Sequence, residues 1–176
     1  SEPERLATVD LQRYLAQVTG VVPAIVPADA WQKKPAPAVL LGTPDGNVPL
    51  KDLPLTEDAL GEQGYCLDNT TINKTNVVLA TGRTPAGAVN AIYGLLRELG
   101  YRFYLGSESI PASLPPQLPT GPIHRKPVFA IRGVLPWYNF FNSPTVWDPI
   151  DHRAFADQLI RGGANFVGFH TYDTEP

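Results

Sequence analysis

The sequence predicts an α+β fold, a mixed sheet covered by helices, followed by an incomplete parallel β-α-β unit. Three observations carry this. Two amphipathic helical segments are interleaved with short apolar runs in the first part of the chain; a proline-dense passage follows; beyond it the pattern becomes strand, long crossover with a helix, strand. With 176 residues, 43% hydrophobic and 18% charged, the chain is large and apolar enough to bury a core without disulfides or metals.

The first helix is read from Ala7 to Val18, where Leu11, Tyr14, Leu15 and Val18 recur at helical spacing and Gly20 supplies a stop. A proline-rich passage from Pro23 to Pro37 leads into Ala38-Val39-Leu40-Leu41-Gly42, a short apolar run bounded by turn formers and hence a buried strand. Pro44-Asp45-Gly46-Asn47 reads as a turn, and Thr56 to Gly61 has room for one short helix. Tyr65–Asp68 and Asn76–Ala80 read as two further strands, joined as a hairpin by the polar residues Asn69 to Thr75. The second helix has the clearest marks: Thr84 to cap, Pro85 for the first helical position, Gly100 to end it, and Val89, Ile92, Tyr93 and Leu96 on one face. Both helices are expected to cover one face of the sheet. Tyr101–Tyr104 resumes an extended run.

Prolines at 111, 115, 116, 119, 122 and 127 argue against regular structure there, so the expected organisation is a domain over 1–111, a linker over 112–127 and a second piece over 128–176. In that piece Val128–Val134 and Asn165–Phe169 read as strands and Asp151–Arg161 as a helix presenting Phe155, Leu159 and Ile160. A lone parallel β-α-β unit leaves strand faces uncovered, so the expectation is that further chain, another chain or the first domain covers them.

A formal net charge of −3 and a pI near 5.5 offer no attraction to phosphate backbones or anionic lipid, so neither nucleic acid nor membrane is an expected partner. No run approaches the ~18 apolar residues of a membrane span. Cys66, the single cysteine, sits in a strand-like run and is expected to pack as a small hydrophobe. Because the sequence has no methionine, Ser1 is not expected to be the native start, which is compatible with a removed export signal. Asn69-Thr70-Thr71 and Asn73-Lys74-Thr75 fit the glycosylation pattern, which short polar loops generate by chance. Gly82-Arg83-Thr84-Pro85-Ala86-Gly87 has phosphate-loop glycine spacing, but Ala88-Val89 stand where lysine and a hydroxyl are needed, so it is read as a helix entry. His124, His152 and His170 are far apart in sequence and no His-Glu-x-x-His occurs; no metal and no cofactor are expected.

Gly64-Tyr65-Cys66-Leu67 through Val77-Val78-Leu79-Ala80-Thr81-Gly82, the helix Ala86 to Gly100, and Leu99-Gly100-Tyr101-Arg102-Phe103-Tyr104 together resemble the N-terminal domain of β-N-acetylhexosaminidases and α-glucuronidases. Lys126-Pro127-Val128-Phe129-Ala130-Ile131-Arg132-Gly133 looks like the opening of their catalytic (β/α) barrel. The resemblance implies a first domain like the second domain of hexosaminidases, metalloprotease-like (zincin-like) but without the metal site, and a truncated (β/α)8 barrel after it. Hexosaminidases typically place an aspartate soon after the Arg-Gly pair; here Val134-Leu135-Pro136-Trp137-Tyr138-Asn139 follows, which is closer to the α-glucuronidases and their glucuronic-acid-decorated xylan.

Barrel sites form at the C-terminal ends of the strands. The resemblance makes Arg132 a sugar contact, a guanidinium suiting two adjacent hydroxyls or a uronate carboxylate, against the plainer reading of an internal ion pair. Trp137, in a loop that also holds Tyr138, Phe140, Phe141 and Trp147, is expected to stack on a sugar face, or else to seal a domain contact. His170, after the second strand, is the third substrate-binding candidate. Asp173 and Glu175 on one loop are a poor match to a glycosidase acid pair, so the catalytic residues stay unassigned. The expected function is the N-terminal part of a secreted or periplasmic glycoside hydrolase, the piece itself inactive, with an oligosaccharide or polysaccharide as substrate of the full-length protein. The alternative is a non-catalytic carbohydrate-binding or protein-interaction module.

Overall fold

A computed structural model describes residues 1–45, 48–50, 55–115, 121–136 and 144–168, the side chains of Val48 and Thr145 excepted. The chain divides into two compact units, one of Ser1–Arg102 with Ser109–Val128 and one of Phe103–Glu108 with Phe129–Pro176.

The first unit opens with α1 (Glu2–Thr19), which begins ahead of its apolar stripe because Glu2 and Glu4 suit the positive end of the helix dipole and Pro3 suits the first turn. Ala7, Leu11 and Tyr14 are its buried residues, and Gly20 closes it in the left-handed region at φ 72°. Inside the proline-rich passage lies a helix that the sequence reading did not place, α2 (Ala28–Lys33). Its Trp31 is buried, and the indole Nε1–H donates to the Ala36 carbonyl at 2.8 Å. After β1 (Ala38–Gly42), Val48–Leu50 forms a 3₁₀ turn. Thr56 then caps α3 (Glu57–Leu60), its Oγ1 accepting from the Ala59 N–H at 3.3 Å.

β2 (Tyr65–Ile72) and β3 (Thr75–Gly82) form an antiparallel hairpin longer than expected. The residues Asn69 to Ile72, three of them polar, remain in the ladder, Asn69 opposite Val78 and Thr71 opposite Asn76, because a strand with one wet face takes polar side chains at alternate positions. The turn is only Asn73-Lys74, both left-handed at φ 50° and 62°, the geometry that matches strand twist in a two-residue hairpin loop. β1 pairs parallel with β3.

α4 (Pro85–Glu98) follows, and α1 packs on it. The Tyr93 hydroxyl donates to Asp10 Oδ2 at 2.9 Å, and Tyr101, fully buried, stacks edge-on against Tyr14 at 5.2 Å while its hydroxyl donates to the Tyr14 carbonyl at 2.6 Å. Of the two helices expected on the sheet, α4 therefore lies on β1, β2 and β3 directly and α1 lies on α4. Gly94 is the reason α4 comes so close: a Cβ there would stand 2.5 Å from the Tyr65 ring. Strand alternation gives Val77 and Leu79 to the opposite face, where they cluster with Leu40, Trp31 and Leu50.

β4 (Arg102–Tyr104) and β5 (Ser107–Ser109) pair as a small two-stranded sheet turning at Gly106, φ 90°. The passage expected to be linker contains β6 (Ile123–Arg125), which pairs antiparallel with Tyr65–Leu67 of β2 and completes the main sheet in the order β1-β3-β2-β6. Pro122 and Pro127 flank this strand without entering it, and an edge position tolerates proline nearby because only one side of the backbone is paired.

In the second unit β7 (Gly133–Val134) and β8 (Phe166–Val167) pair in parallel, Gly133 opposite Phe166, with α5 (Pro149–Arg161) in the crossover. Asp148 caps α5, Oδ1 accepting from Ile150 N–H at 2.6 Å and Asp151 N–H at 3.0 Å. Both strands are shorter than read. Val128–Ile131 stays outside β7, with Val128 90%, Phe129 70% and Ile131 72% exposed, and no strand pairs with it among the described residues. Phe169, the last residue of the second expected strand, lies outside the described residues.

Candidate functional site

β7 and β8 run side by side in one direction, so the segments that follow them leave from the same end of the pair. Trp137 and His170 belong to those segments but lie outside the described residues, as do Tyr138, Phe140, Phe141, Tyr172, Asp173 and Glu175.

Arg132 is described and half-buried. It directly precedes β7, whereas the sequence reading put it near the end of a longer strand. Its Nε–H donates to the Gly163 carbonyl at 2.9 Å and an Nη1–H to the Phe129 carbonyl at 2.8 Å. Gly163 lies in the turn between α5 and β8, so the guanidinium is tied to the end where strands begin. In (β/α) architecture that end serves stability, and the opposite end carries the chemistry. The other guanidinium donors meet no acceptor among the described residues.

Asn165 completes the arrangement. Its Oδ1 accepts from the Arg132 N–H at 2.8 Å, its Nδ2 donates to the Ala130 carbonyl at 2.8 Å, and its own backbone N–H donates to the Arg132 carbonyl at 2.8 Å. One amide side chain thus satisfies a donor and an acceptor of a segment that has no ladder of its own. The sequence reading missed this role, although Gly162-Gly163-Ala164-Asn165 between helix and strand carried the signal: an amide at a strand start beside a turn.

An aromatic side chain meets the start of α5. Trp147 meets Phe155 at 5.0 Å and His152 at 5.5 Å between ring centroids, both edge-on, so this member of the aromatic loop packs on its own helix.

In the first unit, Gly82–Gly87 is a helix entry. The Thr84 Oγ1 accepts from Gly87 N–H at 3.2 Å and donates to the Glu62 carbonyl. A Cβ on Gly82 would stand 2.2 Å from the Gly87 carbonyl carbon, so the two backbones touch and leave no space for a phosphate. A groove of about 770 Å³ is lined by α1, α2, β1 and the stretch Pro23–Val26, with no carboxylate in its walls, so it holds no acid pair for glycoside hydrolysis. Cys66 is buried and free; burial first, and then the Asp68 charge, pushes its thiol up to about 11. Among the described residues no three His, Cys, Asp or Glu side chains form a metal-holding group, and no helix is long and apolar enough to cross a membrane.

No curated protein matches the chain. The family model described as glycosyl hydrolase family 67 N-terminus matches residues 1–95, which runs from α1 to the last turn of α4 and stays within the first unit. Since that is more than half of the 176 residues, the chain belongs to the glycosyl hydrolase family 67 N-terminus family and is part of a glycoside hydrolase.

Proposed function

We propose that this chain is the front of an α-glucuronidase-type glycoside hydrolase acting on glucuronic-acid-decorated xylan, its first unit a non-catalytic buttress and its second the opening of a (β/α)8 barrel. The observation that carries the reading is the pairing of the family match over residues 1–95 with a parallel strand-helix-strand unit whose helix, α5, has no buried residue. An amphipathic helix with no fully buried residue, a strand that leaves Phe166 exposed and a preceding segment that leaves Phe129 and Ile131 exposed need covering, and later strands and helices of the same barrel supply it.

On this reading Trp137 and His170 follow the barrel strands at the sugar-binding end, while Arg132 clamps the opposite end, where the strands begin, with two donors. The 176-residue chain itself hydrolyses nothing, since a complete barrel takes ~250 residues. The protein acts outside the cytoplasm, where its polymeric substrate is.

The test is a substrate panel on the full-length gene product. Release of glucuronic acid from decorated xylo-oligosaccharides, with no action on aryl N-acetylhexosaminides, is the expected result; the reverse preference overturns the substrate class. Turnover by the purified 176-residue chain, scaling with its concentration, overturns the assignment of the first unit as a non-catalytic support.

A further inference from the structure

Between α1 and α2 the chain is apolar and lies outside helix and strand. Val21, Val22, Ile25 and Val26 are 65%, 69%, 50% and 53% exposed, an unusual outlay of β-branched residues on solvent, since side chains of this shape favour strands. The run is anchored at both ends. Gln12 Nε2 donates to the Pro23 carbonyl at 2.7 Å, and the Pro27 carbonyl accepts from the Trp31 N–H at 3.1 Å. In between, the N–H groups of Ala24, Ile25 and Val26 meet no acceptor among the described residues.

The same groove that Ala24, Ile25 and Val26 line is also lined by Ala38, Val39 and Leu40 of β1, the strand at one end of the sheet order among the described residues. An edge strand beside an apolar groove is a site for one more strand, and a protein that leaves it open exposes itself to pairing with other chains. The tethered run beside it has the right composition and needs no diffusional search.

We propose that Ala24–Val26 is a strap that closes this groove by adding to the edge of β1, at its Ala38 end, as a fifth strand of the main sheet. Closure buries Ile25 and Val26 and gives their backbone a ladder. Pro23 and Pro27 set its length, because neither has an N–H to donate and each limits pairing beyond the three residues between them.

Amide hydrogen exchange by NMR on the whole chain tests this without any substitution. In a strap that closes, at least one of the Ala24, Ile25 and Val26 amides exchanges on the order of a hundredfold more slowly than an unstructured peptide, with cross-strand NOEs to Ala38–Leu40. Three amides at unstructured rates and no such NOEs overturn the proposal. A proline scan gives an independent sign: Ala24→Pro, Ile25→Pro and Val26→Pro, with Ile25→Ala as the control for lost side-chain burial. Extended chain that stays open accepts proline with an unchanged or slightly raised Tm, because the unfolded state is stiffened. A closing strap loses about 4 °C or more at positions whose N–H faces β1 and little at the alternate ones. Three neutral or stabilising prolines contradict closure.

Discussion

α4 and α5 are helices of similar length and similar amphipathic pattern, each with threonine or aspartate as cap and proline in the first turn. α4 buries nine residues, from Gly87 to Leu96, between the sheet and α1, while α5 buries none. Local sequence rules thus specify both helices, and among the described residues it is in the first unit that a helix stripe is fully buried. In that unit Tyr14, Tyr101, Leu50, Leu60, Leu79, Ile92, Leu95 and Leu96 are all 1% exposed or less. In the second, Ile150 is 74%, Ile160 43% and Phe166 49% exposed. Among the described residues, every large apolar side chain that is fully buried lies in the first unit.

The sharpest contrast between the units comes from truncating one apolar side chain in each. Leu79→Ala is expected to cost about 2–5 kcal/mol, since it empties space in a closed cluster, whereas Ile150→Ala changes stability by less than about 0.5 kcal/mol. Chemical denaturation of the two variants measures both, and equal losses would erase the distinction. Gly82→Ala comes next. A Cβ cannot be placed against the backbone of Gly87 without separating β3 from the start of α4, and a loss near 3 kcal/mol is expected by the same measurement. Because the clash is with backbone, no side-chain repacking relieves it.

A smaller effect is expected in the second unit. Arg132→Ala removes two hydrogen bonds to backbone carbonyls and should cost about 1–2 kcal/mol there, with Arg132→Lys recovering only part because an ammonium does not span both acceptors. If Arg132 also touches the sugar, turnover of the full-length enzyme falls by more than its melting curve explains. A rate that merely follows stability assigns it wholly to the clamp.

The smallest effect belongs to Cys66. Its thiol titrates at about 11 in the folded protein, above the ordinary value of 9.0, so the folded state holds the proton more tightly than the unfolded state does. The resulting stability is fully present below pH 9 and is lost as the pH rises through about 11. Cys66→Ala should flatten that part of the pH profile; the Tyr101 hydroxyl, also raised by burial, keeps some slope in place. A profile unchanged by the substitution would mean that the thiol is solvated.

Where local rules sufficed, the sequence was legible. Thr84, Pro85 and the stripe from Val89 to Leu96 placed α4 almost to the residue, and the apolar run Ala38–Gly42 placed β1 with its bounds. Reading failed where partners decide. Asn69–Ile72 looks like a loop until Val78 and Asn76 lie opposite, and Ile123–Arg125 looks like linker until Tyr65–Leu67 offers an edge. Trp31 of α2, within a proline-rich stretch, packs with Leu40, Leu50, Val77 and Leu79 on the far face of the sheet, a long-range contact that no local pattern announces. The site was less legible than the fold. The order strand, helix, strand matches β7, α5 and β8, but Arg132 engages the carbonyls of Phe129 and Gly163, contacts that depend on a turn 31 residues away.

The most direct test of the central claim, that the first unit is self-sufficient and the second is not, is native-state hydrogen exchange on the 176-residue chain, resolved helix by helix. The account predicts that amides of Val89–Leu96 exchange only through global unfolding, while those of α5 exchange through local opening at rates orders of magnitude higher. Equal protection of α4 and α5 would contradict it, since it would show that the β7-α5-β8 unit is already complete.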